Sequence, residues 1–239
     1  MPESGSPLAD PQLTTVVRDF LFGLHRCFKI GLRMKGVVEH SLSLRAVDDL
    51  TQSALAVHRL ARDGVQRPLQ RELLHMLETS IRHLYADQRQ RGQPFTQRAR
   101  FLEQELGGEA LSYLHGLELT AFRDAVRRSF VAQVHATHRV LTPRESPPWE
   151  ESGRRLARLA VGEDPGFHHG LEAAELNRQV FAVSEIVLVL TLHALGLRLA
   201  GQVFVSYVDL QPEWVFHRSD YLDRFSEYYD YRPERRAAL

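Results

Sequence analysis

In the stretch Arg67–Gln88, apolar side chains recur every three or four residues, at Leu69, Leu73, Met76, Leu77, Ile81 and Leu84. That spacing lines one face of an α-helix and does not fit the two-residue alternation of a half-buried strand. The same period returns in Leu119–Pro143, where Phe122, Val126, Phe130 and Leu141 share one side. Segments of this kind bury their apolar faces only against one another. The reading is therefore an all-α fold, a single helical bundle of about seven to nine helices.

Breaks in the periodicity place the other elements. Helices are predicted over Pro11–Arg33, Ser43–Arg62, from Pro68 to about Arg89, Thr96–Leu106, a short piece before Gly116, Leu119–Leu141, Glu150–Val161, Leu171–Leu199 and Asp220–Tyr229. Pro68 suits a first helical turn, and Gly64 suits a C-cap. Gln202–Leu210 is rich in β-branched residues and reads as a short strand-like segment. The run Thr142–Pro148 is the clearest interruption. The expected organisation is a disordered tail over 1–10, one helical domain over 11–231 with a candidate subdomain break at 142–150, and a frayed tail over 232–239.

With 239 residues the chain can bury a sizeable core. Its 44% hydrophobic and 25% charged content is that of a water-soluble domain. The net charge of +0 supplies no overall field for a polyanion, so any nucleic-acid contact must come from a local patch. Nearly all of the 30 basic residues are arginine, Lys29 and Lys35 being the lysines, a bias expected of a GC-rich bacterial genome. The single cysteine, Cys27, excludes an intrachain disulfide and a cysteine-based zinc site, in keeping with a cytoplasmic location. The first residues lack the charged and apolar regions of a secretory signal. Val180–Leu199 is long enough to span a bilayer, but it carries Glu185, His193 and Arg198 and reads as a core helix, so no membrane is expected.

Arg128 and His135 stand seven residues apart, which returns them to nearly the same helix face two turns on. Arg139 shares that face, which points away from Phe130 and the core. One reading is a solvated surface, with Asp124 and Arg128 as an i,i+4 ion pair. The other is chemical. RNA carries its own nucleophile, the 2′-hydroxyl. A histidine can move its proton near neutral pH, and an arginine can hold the phosphate oxygens as charge builds. Such a reaction needs no metal and no cofactor, and none is expected. In Arg67–Gln88 the polar side carries Arg71, His75, Glu78 and Arg82, with Glu78 and Arg82 in the favourable i,i+4 orientation. Glu78 would orient Arg128 or His135 if the two helices lie side by side.

An arginine, six residues and a histidine on a late helix of an all-α domain resembles the motif of the HEPN ribonuclease superfamily. The resemblance implies a dimer that cleaves RNA without metal, the motif lying at the dimer interface. It assigns Arg128 as the phosphate-binding arginine, with Arg127 as the alternative, and His135 as the catalytic histidine. Ser129 stands where that family often has a polar residue such as asparagine. Over Leu69–Leu141 the chain also resembles a group of HEPN-like helical bacterial proteins with an S-x-x-V-H-like stretch, here Ser129 and Val134-His135.

The expected function is thus a HEPN-like, metal-independent endoribonuclease or nucleic-acid-targeting effector of bacterial stress or phage defence, with RNA and a second copy as partners. Arg128 and His135 are its catalytic candidates; Glu78, Arg139 and Arg127 are supporting ones. The first alternative is a non-catalytic helical interaction or regulatory subunit of a larger complex. The second is a small-ligand or nucleotide binder using the core near Glu185 and His193. His168-His169 reads as a surface loop, and His115 as an isolated histidine. The aromatic residues Tyr221, Phe225, Tyr228, Tyr229 and Tyr231 read as packing of the last helix, with base stacking as the alternative.

Overall fold

A computed structural model describes residues 16–18, 20–21, 23–25, 27–28, 41–62, 65–119, 124–142, 157, 160–161 and 173–194. These are overwhelmingly helical and include no strand, so the fold is all-α. Helical residues occur between 16 and 28. They are followed by α1 (Leu42–Arg45), α2 (Val47–Arg62), α3 (Gln66–Arg89), α4 (Phe95–Glu105), α5 (Ala110–Leu114), α6 (Asp124–Leu141) and α7 (Ala173–Ala194). The expected tails, the break at 142–150 (beyond Thr142), the strand-like 202–210 and the helix 220–229 lie outside the described residues.

The hub is α3. Its predicted apolar stripe is buried in full, and Ser80, Ala86 and Asp87 join it. α2 and α7 pack along it most heavily, and α1, α4, α5 and α6 also contact it. One core cluster draws Val57 and Ala61 from α2, Leu114 from α5, Phe130, Val134 and Leu141 from α6, and Val183 and Val187 from α7. α7 is buried nearly all round, from Val183 through Leu192. That is the pattern of a helix surrounded by protein rather than one lying on a surface. No helix among the described residues is long and apolar enough to cross a membrane.

Two boundaries differ from the sequence reading. Ser43–Arg62 is not continuous: α1 and α2 meet at Ala46, a turn. The start of α1 is held by tertiary contacts. The Asp87 carboxylate of α3 accepts hydrogen bonds from Ser41 Oγ (2.8 Å) and from the backbone N–H groups of Leu42 (2.9 Å) and Ser43 (3.0 Å). These are the orphan donors of a helix N-terminus. Ser41 Oγ accepts in turn from the Leu44 N–H. Arg98 of α4 donates to the same carboxylate at 3.0 Å, with Asp87 buried and Arg98 largely covered.

The second difference is at Leu119, where the helix does not begin; α6 starts at Asp124. Residues 117–119 are non-helical, with Leu117 and Leu119 buried and Glu118 exposed between them. That is a local two-residue alternation inside a helical context.

Candidate functional site

His135 sits on α6 one residue after Val134, which anchors the helix in the core. Its partner comes from elsewhere in the chain. His115, exposed in the turn after α5, places its Nε2 3.2 Å from Nε2 of His135, with the ring centroids 5.2 Å apart and the planes 33° from parallel.

That turn is fastened to α3 at several points. A Cβ at Gly116 would meet Cε2 of Tyr85 at 2.8 Å, so only glycine allows the turn to lie this close. The Tyr85 and Tyr113 rings pack 5.1 Å apart, and Arg89 donates to the Tyr85 hydroxyl. The Gln88 amide clamps the backbone of Glu118, donating to its carbonyl at 3.1 Å and accepting from its N–H at 2.7 Å. His115 is therefore presented by a rigid support.

α3 and α6 do lie side by side, but Glu78 takes a different partner from Arg128 or His135. Its Oε1 accepts from Nε2 of His138 at 3.2 Å, and its Oε2 pairs with Arg82 at 3.3 Å. Arg82 also donates to the Gly108 carbonyl at 3.1 Å. Glu78 thus ties α6 to α3 and to the loop before α5. The His138 ring and its carbonyl both meet the Thr142 hydroxyl at the end of α6. Glu78 supports His135 only by fixing the helix that carries it.

The arginines divide. Arg127, not Arg128, pairs with Asp124, at 2.9 Å and in an i,i+3 relation. The expected Asp124–Arg128 pair does not form, and Arg127 is committed away from His135. Arg128 and Arg139 are exposed, and neither is bound to another side chain among the described residues. Arg139 follows His135 by one turn, a rise of about 6 Å, and Arg128 precedes it by two, about 10.5 Å.

His135 titrates below the ordinary 6.5 of histidine. Partial burial is the largest cause, followed by the charges that His115 and His138 would carry if protonated. Its imidazole is accordingly neutral at physiological pH, the form that accepts a proton.

Among the described residues no group of three or more His, Cys, Asp or Glu side chains is arranged to hold a metal ion. Glu185 is 3% exposed within α7. His193 bonds through Nδ1 to the Val189 carbonyl of its own helix at 3.0 Å, and burial lowers its pKa. His168-His169 and the aromatic residues from Tyr221 onward lie outside the described residues.

Sequence reasoning found His135 and the free arginines but missed His115. That residue is 20 positions from His135 and on no shared helix, so no spacing rule connects them. Comparison with protein families, with curated proteins and with solved structures finds no match to this chain.

Proposed function

We propose that the outer face of α6 is the active surface of a metal-independent endoribonuclease of HEPN-like type, acting as a homodimer in bacterial stress or phage defence. One observation carries the reading: a neutral histidine, His135, stands between two exposed arginines that no acidic side chain neutralises among the described residues.

In this reaction His135 removes the proton of the RNA 2′-hydroxyl, and the freed O2′ attacks the adjacent phosphorus. The P–O5′ bond breaks as the P–O2′ bond forms. The leaving O5′ takes up a proton from water, His135 returns its own proton to solvent, and the product is a 2′,3′-cyclic phosphate. Arg139 and Arg128 hold the non-bridging oxygens as negative charge builds on them. His115 occupies the Nε2 of His135 in the free protein, so the substrate hydroxyl displaces it.

His135→Ala is expected to lower cleavage of single-stranded RNA in EDTA by about 10²-fold or more. Arg128→Ala and Arg139→Ala should each weaken it by about 10²-fold. Thermal unfolding of all three should match the wild type. Cleavage by the His135 variant at the wild-type rate would end the assignment.

The alternative, a non-catalytic interaction or regulatory subunit, is favoured by one feature of the same face. Ala132, Ala136 and Val140, the last 50% exposed, follow one another at four-residue steps beside the arginines. Such a surface also fits a partner helix. In that case RNA cleavage is absent from the wild type, and Ala136→Glu abolishes partner binding.

A further inference from the structure

We infer that His115 and His135 together form a binding site for one zinc-class divalent cation per chain. Two imidazole nitrogens held about 2.0–2.1 Å from a tetrahedral zinc ion stand about 3.3 Å apart, with ring centroids about 5.2 Å apart. The Nε2 atoms here are separated by 3.2 Å and the centroids by 5.2 Å. A head-on hydrogen bond of the same length would set the centroids about 5.5 Å apart. The observed centroid distance is the shorter one, that expected of two rings sharing an ion.

The surrounding chemistry agrees. His75 is engaged by Asp49, His138 by Glu78 and His193 by a backbone carbonyl. The Nε2 atoms of His115 and His135 meet only each other among the described residues. His115 is exposed and His135 half-buried, so an ion reaches them from solvent. His115 is held on the Gly116 turn and His135 on a core-packed helix, so little ordering is needed on binding. His135 is already in the neutral form that a metal requires. No third protein ligand joins the pair among the described residues, which leaves the other two tetrahedral positions to water. Bound zinc would occupy the lone pair that the proposed RNA chemistry uses, so it acts on that reaction as an inhibitor and not as a cofactor.

The test needs no RNA and is independent of the nuclease reading. Zinc sulfate is titrated into the full chain by calorimetry at neutral pH, alongside His115→Gln, His135→Gln and the control His75→Gln. The expected result is one site that weakens at least tenfold in each of the first two variants and is unchanged in the control. Cobalt(II) at the same site should give the intense visible absorption of tetrahedral coordination. Zinc should also protect His115 and His135 of the wild-type chain from diethylpyrocarbonate, a readout that involves no variant. Identical zinc binding by the wild type and the His115→Gln/His135→Gln chain, or equal modification of both histidines with and without zinc, overturns the proposal.

Discussion

Asp87 accepts hydrogen bonds from Ser41, Leu42, Ser43 and Arg98, and it is only 8% exposed. Both of its oxygens face donors. An asparagine in its place sets its NH₂ against a backbone N–H whichever way the amide is turned, that of Leu42 or that of Ser43. It also leaves Arg98 without its counter-charge. Asp87→Asn is expected to destabilise the fold by about 2–4 kcal/mol, read from the urea midpoint at unchanged m-value. Nothing in the sequence marks Asp87 as different from the other acidic residues on helix surfaces. The groups it caps, Ser41 to Ser43, are more than 40 residues away, and Arg98 lies on the next helix, so its importance is a product of packing. The reverse holds for Glu78. Its pairing with Arg82 follows from the i,i+4 spacing and is present, whereas its contact with His138 needs α3 and α6 to be docked first.

The elements show what one-dimensional patterns capture. α3 and α4 lie within a residue or two of their predicted limits, and α5 is the short helix expected before Gly116, because Pro68, Gly92-Gln93-Pro94 and Gly107-Gly108 punctuate them locally. Gly92 adopts a φ of +84°, a left-handed conformation that glycine accepts without strain. Leu117 and Leu119 are apolar and adjoin a strongly periodic run, so Leu119 reads as part of the helix, whereas its N–H bonds back to the Leu117 carbonyl in a tight turn about exposed Glu118. That segment and its turn control the geometry of His115. Gly116→Ala must displace the Tyr85 ring, which Tyr113 and Arg89 hold in place. The expected loss is about 1–3 kcal/mol. His115 and His135 should separate at the same time, visible as a rise in the His135 pKa by NMR titration once the neighbouring imidazole withdraws.

At the scale of the whole molecule, three histidines among the described residues are held below their ordinary pKa, His83 and His193 by burial and His135 by burial together with its histidine neighbours. For each, the unfolded chain binds a proton near 6.5 while the folded chain resists it. Above that pH both states are neutral and the groups contribute nothing to the pH dependence. As pH falls below about 6.5 the unfolded state takes up protons first, and stability drops until the folded-state pKa values are passed. Urea melts should show a loss of stability between pH 7.5 and 5.5. His135→Gln should flatten part of that slope, and an unchanged profile in that variant would exclude its contribution. The all-helical class and the identity of the core were legible because apolar period and burial agree along α3. The direction of each interhelical contact was not, since it depends on how faces choose one another in three dimensions.

α7 fills the middle of the bundle, yet it is the last helix among the described residues to leave the ribosome. Until it emerges, the buried side of α3 has only part of its cover. A nascent chain halted after Thr142 presents Leu69, Leu73 and Leu77 in this incomplete state, a surface that chaperones and other unfinished chains recognise. Final closure therefore awaits late translation, and shortened versions of this chain are prone to clump rather than persist as smaller folded units.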